Sequence, residues 1–146
     1  MYPINIDMIL LEIEGLPDYK EQLSLQVTKE GSGGEGRLKN LTTSEKDFIE
    51  FAYDIPYTNS VLKELGMFRS RLMKMEGKTC YTYHWDPTKR MHIPLITNED
   101  NFFIIEDELS RYPADGSHYL VDTTKKHTFV NASRETRIHI VGCVDG

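Results

Sequence analysis

The rhythm of hydrophobic and polar positions changes near residue 67. Beyond it, apolar residues come in short bursts over 67–75, 78–86, 90–97, 101–106, 117–122, 127–131 and 136–144, loosely alternating in the first and continuous over 102–105. These bursts are rich in β-branched and aromatic residues and are separated by Gly, Pro, Asn and Asp, the pattern of short strands. Met91, Ile93 and Leu95 fall on one side of their segment, and Ile138 and Ile140 on one side of theirs. Strands at this spacing predict a mainly β sandwich or barrel, with a few helices packed on it. No Gly-rich dinucleotide motif or strand–helix alternation points to a doubly wound sheet.

Before residue 67 the pattern predicts two short helices. Ser44-Glu45-Lys46-Asp47 has the form of a capping box, followed by the apolar Phe48, Ile49, Phe51 and Ala52. Asn59 is placed to cap a second helix over 60–65, with Gly66 as its stop. The segment 54–58 holds Pro56 and reads as a loop. The patch Gly31-Ser32-Gly33-Gly34-Glu35-Gly36 lacks a following Gly-Lys-Ser/Thr, so it reads as a surface loop, not a phosphate cradle.

At 146 residues the chain is expected to be one domain, with a core over about 67–146 and an N-terminal extension over 1–66. Its net charge of −6 disfavours a phosphate-binding surface, so no nucleic-acid partner is expected. The run Met8-Ile9-Leu10-Leu11 is too short for a membrane span or signal core, and the expected compartment is cytoplasmic. On that expectation the Asn-x-Ser/Thr triplets at Asn40 and Asn131 are chance matches. Cys80 and Cys143 read as buried, reduced core residues.

The chemistry begins at Tyr83-His84-Trp85-Asp86-Pro87. Residues two apart in a strand point the same way, so His84 and Asp86 aim an imidazole and a carboxylate at one point. Pro87 cannot donate to a ladder and places the pair at a strand end. His127 opens a later strand after Lys125 and Lys126, and the neighbouring lysines disfavour its protonated form. Two His and one carboxylate with open positions make the facial triad of non-haem iron(II) oxygenases. Arg137 starts the last strand and shares a face with His139. A buried guanidinium there needs an anion, and its fork suits a carboxylate. Arg90 and His92 share a face in the same manner. A salt bridge to one of the 23 acidic residues is the plain alternative for each arginine.

These pieces together resemble the aspartyl/asparaginyl β-hydroxylase family of 2-oxoglutarate-dependent oxygenases, closest to small members from bacteria and their phages. The resemblance is carried by His84-Trp85-Asp86, Arg90-Met91-His92-Ile93-Pro94-Leu95, His127-Thr128-Phe129-Val130-Asn131 and Arg137-Ile138-His139-Ile140-Val141. It spans roughly the last half of the chain. It implies a double-stranded β-helix, a jelly-roll barrel of cupin-like form with Fe(II) at its mouth. His84 and His127 match the two metal-binding histidines. Asp86 stands where well-known animal members lack a carboxylate. Arg137 matches the arginine that binds the distal carboxylate of 2-oxoglutarate, and Arg90 and His92 match positions lining the co-substrate pocket. The implied activity is hydroxylation of an unactivated C–H bond in an amino acid, peptide or protein side chain, with dioxygen consumed. Tyr81, Tyr83, Trp85 and Phe129, near the metal in sequence, are expected to be open to self-oxidation.

Two other readings share these residues. A cupin-like metal enzyme without 2-oxoglutarate needs no anion at Arg137. A non-catalytic barrel used for binding needs no metal. The substrate is not legible; the loop 31–36 and the segment 53–57 are the expected source of specificity.

Overall fold

The computed structural model describes residues 3–29 and 44–145. The Gly-rich patch at 31–36 and the Asn40 triplet lie outside the described residues. The architecture is a jelly roll of antiparallel strands with two helices laid on one face. Eight strands build it: β4 (Phe68–Met75), β5 (Thr79–Cys80), β6 (Arg90–Ile96), β7 (Asn101–Ile105), β8 (Glu108–Ser110), β9 (Tyr119–Val121), β10 (His127–Asn131) and β11 (Arg137–Cys143). One sheet runs β4-β11-β6-β9 and the other β5-β10-β7-β8, so the chain crosses between sheets at nearly every turn. β1 (Gln22–Ser24) extends the first sheet by pairing with β4, while β2 (Gln26–Val27) and β3 (Glu50–Phe51) form a separate ribbon. β1, which precedes residue 67, therefore belongs to the same sheet as strands that follow it.

The outer face of the larger sheet carries Leu72, Ile93, Leu95 and Ile140. They pack against Ile9 of α1 (Ile6–Ile13) and Val61 and Leu62 of α2 (Pro56–Glu64). The apolar run that includes Met8 and Leu10 is thus a docked helix, capped by the Asn5 side chain on Met8 N–H. Glu12 of α1 reaches across to α2 and accepts from Tyr57 N–H, Thr58 N–H and the Thr58 hydroxyl. That carboxylate does the work of a cap at the positive end of α2. It also explains the boundary: the helix starts at Pro56, not after Asn59. Proline is at home in the first turn, where its missing N–H has no partner to lose. Gly66 ends it at φ +67°, as its position required.

The other expected helix is not formed. Ser44 and Asp47 do make a reciprocal capping box, but it closes a single 3-10 turn over Glu45–Asp47. Phe48 then leaves helical geometry and its carbonyl accepts from Arg69 N–H, which draws the chain against β4. The long strand expected over 78–86 is reduced to Thr79–Cys80 and an isolated bridge between His84 and His127. Cys143 is buried, but Cys80 is exposed; both are free. A second, smaller core of Met75, Phe103, Val121 and Phe129 lies between the sheets. Beside it the interior turns polar, and there the site is built.

Candidate metal centre and anion pocket

His84, Asp86 and His127 offer ligand atoms within 4.8 Å of one another. Backbone bonds set the geometry. His84 N–H donates to the His127 carbonyl at 3.1 Å and His127 N–H returns the bond at 2.9 Å. The two imidazoles are thereby held side by side, centroids 4.4 Å apart. Asp86 N–H donates to the Thr123 carbonyl, which brings the carboxylate over; its Oδ2 lies 3.6 Å from His127 Nε2.

The second nitrogen of each ring is already engaged. His84 Nδ1 is 2.7 Å from the Thr82 carbonyl and His127 Nδ1 is 2.8 Å from the Lys125 carbonyl. A carbonyl only accepts, so both Nδ1 atoms carry a proton, and a neutral ring in either place keeps its lone pair at Nε2. This is how metal-binding histidines are usually fixed in tautomer and direction. His127 Nε2 is buried with no hydrogen-bond partner. Burial, above all, holds the His127 imidazole below its ordinary pKa and so neutral. The lysines act differently from expectation: Lys125 contributes its backbone carbonyl, and Lys126 Nζ sits 5.9 Å over the Trp85 ring. The donor set therefore fits a divalent ion of intermediate hardness.

A cavity of about 630 Å³ opens beside this group, with His84, Asp86, Arg71, Arg90, His92 and Phe129 in its wall. Arg90 lines it but is not idle. Its NH1 donates to Glu45 Oε2 at 2.9 Å and contacts Thr88 Oγ1, while its Nε stands 3.8 Å from Asp86 Oδ2. Glu45 also accepts from Arg69 NH1 and from Thr88 Oγ1. Burial raises the pKa of Glu45, yet Arg90 and these hydrogen bonds outweigh it and hold the carboxylate ionised. Glu45 was not foreseen as a site residue. Its only signal in the sequence was its place inside the capping box, which says nothing about a partner 45 residues away.

Arg137 lies deeper, 1% exposed, over Phe103 and Phe129 at 5.7 and 5.6 Å. Its Nε and NH1 have no hydrogen-bond partner. Desolvation pulls its pKa down to about 10, still charged at neutral pH. Of the aromatic residues near the centre in sequence, Tyr83 and Trp85 point outward and are exposed, while Phe129 faces the His127 ring at 5.1 Å.

The fold is thus a mainly β jelly roll in which two histidines and an aspartate form a group that could hold a metal ion. The chain belongs to the aspartyl/asparaginyl β-hydroxylase family, whose sequence model matches residues 5–144. The match extends the likeness through the N-terminal part, well beyond the last half of the chain. No curated protein sequence matches the chain. Among solved structures it is similar to the DMSP lyase DddQ from Ruegeria pomeroyi DSS-3 (16% identity, TM-score 0.46, 55% of this chain and 39% of that one). It is also similar to the conserved SPY1581 protein of unknown function from Streptococcus pyogenes (14%, 0.42, 53% and 64%). A third is a cupin-2 domain containing protein from Shewanella frigidimarina NCIMB 400 (18%, 0.40, 53% and 70%). The chain spans well under half the length of the lyase.

Proposed function

We propose that this protein is an Fe(II)- and 2-oxoglutarate-dependent oxygenase that hydroxylates an unactivated C–H bond of an amino acid, peptide or protein side chain. The observation that carries this beyond the hydroxylase family is Arg137. A guanidinium so buried, with two donor atoms unpartnered, costs several kcal/mol unless an anion completes it. Its fork suits the distal carboxylate of 2-oxoglutarate. A metal enzyme that used no dicarboxylate would have no need of it.

In this reading His84 Nε2, His127 Nε2 and an Asp86 oxygen hold the iron, which supplies oxygen activation coupled to decarboxylation of 2-oxoglutarate. The protein's part is positional. The Thr82 and Lys125 carbonyls keep both imidazoles in the ligating tautomer. Glu45 restrains Arg90 beside Asp86, so the carboxylate is oriented without being drawn fully into an ion pair. Phe103, Phe129 and Tyr81 keep water from the inner part of the pocket. Residues 1–146 are taken as one oxygenase domain.

The test is succinate formation from 2-oxoglutarate in the presence of Fe(II) and ascorbate, with metal content measured in parallel. His84→Ala and His127→Ala should each lose stoichiometric iron and turnover. Iron retained in both variants, or no binding and no turnover of 2-oxoglutarate by the parent protein, refutes the reading.

A further inference from the structure

The inner faces of β6 and β11 carry two histidines in contact. His92 Nδ1 lies 3.1 Å from His139 Nδ1, with the rings nearly perpendicular at 83°. Both are 1% exposed, and each Nε2 is buried without a hydrogen-bond partner. His139 is not one of the three metal-ligand candidates, and the sequence marks it only as a neighbour of Arg137.

Burial first, and the Arg137 charge next, push both imidazoles well below their ordinary pKa, so both rings are neutral. A neutral imidazole has one N–H and one lone pair. A hydrogen bond between two Nδ1 atoms needs one of each. The ring that donates at Nδ1 keeps its lone pair at Nε2, and the ring that accepts carries its proton at Nε2. The couple therefore presents one Nε2–H and one Nε2 lone pair, and neither ring can change tautomer alone.

The two ends lie in different surroundings. His92 lines the cavity beside His84 and Asp86, with Arg71 and Arg90 in the same wall. His139 stands two residues from Arg137 on one face of β11. Once an anion enters the cavity, one arrangement turns a donor toward it. His139 donates at Nδ1 and His92, the ring in the cavity wall, carries its proton at Nε2 for the anion. The reverse would leave His92 with a lone pair at Nε2 and no N–H to give the anion.

We propose that His139 is a positioning residue whose Nδ1–H, given to His92 Nδ1, holds His92 as the Nε2–H tautomer that donates to a carboxylate in the cavity. This rests on the oxygenase reading, in which that carboxylate belongs to 2-oxoglutarate. The same tautomer withholds the His92 lone pair from the metal. The centre then keeps two imidazoles and a carboxylate, with no third imidazole added.

The test uses the full chain labelled with ¹⁵N-histidine and loaded with Zn(II), a diamagnetic substitute for iron, plus 2-oxoglutarate. Two-bond ¹H–¹⁵N correlations read each tautomer directly. The expected result is His92 protonated at Nε2 and His139 at Nδ1. By calorimetry, His139→Leu should weaken 2-oxoglutarate binding about tenfold, the effect of one lost charge-assisted hydrogen bond. His139→Gln, which retains an N–H donor, should recover most of it. His92 protonated at Nδ1 in the loaded protein, or 2-oxoglutarate affinity unchanged in His139→Leu, overturns the proposal and leaves the oxygenase reading standing. A parent protein that binds no 2-oxoglutarate refutes that reading and this proposal together.

Discussion

At the scale of single residues, the site is a set of polar atoms buried ahead of their partners. Arg137 is the sharpest case. Replacing it with Met removes a desolvated charge and leaves a flexible apolar chain of similar reach among Phe103 and Phe129. The ligand-free Arg137→Met protein should therefore be more stable than the parent, by about 1–3 kcal/mol in denaturant titration. The same variant should lose at least about 100-fold in 2-oxoglutarate affinity through two missing charge-assisted hydrogen bonds. A variant that is both less stable and undiminished in binding would contradict both halves. Arg137 was legible in the sequence as an arginine on a histidine-bearing face. Its missing partners were not, because an unmade hydrogen bond leaves no mark on residue identity.

At the scale of elements, β10 and β11 were readable almost to the residue, and the bounds of β6 and β7 within one or two, because each is a short β-branched and aromatic segment set between polar or turn-forming residues. Reading failed where a distant contact sets a boundary. α2 begins at Pro56 because Glu12 caps it from another helix. The turn at Glu45–Asp47 ends early because Phe48 is drawn to β4. The pair at His84 and Asp86 was placed on a regular strand; in fact a reciprocal pair of backbone bonds to His127 and one bond to Thr123 align it. The turn between β4 and β5 shows another such constraint. A Cβ on Gly77 would meet the Ser133 carbonyl oxygen and the Arg134 carbonyl carbon at 2.7 Å, and both are backbone atoms that cannot swing aside. Gly77→Ala should therefore cost about 1–3 kcal/mol. A denaturation midpoint equal to that of the parent would show that the turn yields easily.

At the scale of the whole molecule, the polar interior makes stability depend on pH in a definite direction. His92 and His139 are neutral when folded, with pKa values well below the ordinary 6.5. The unfolded chain takes up protons there that the folded chain refuses, so stability is full above about pH 6.5 and falls as the pH drops below it. Each histidine contributes a slope of up to about 1.4 kcal/mol per pH unit. The metal-free protein should lose melting temperature steadily from pH 6.5 to 5, and His139→Gln should shed part of that slope. A flat profile over this range would mean that these rings accept protons in the folded state.

Trp85, 65% exposed and the only tryptophan in the chain, stands between two of the metal-ligand candidates. It makes the protein its own fluorescent probe. Because the indole already meets solvent, unfolding should barely shift its emission maximum, whereas a quenching ion such as Co(II) at the centre should dim it in proportion to occupancy. A native maximum well to the blue of free tryptophan, or brightness indifferent to Co(II), would show that the indole is not where the fold puts it.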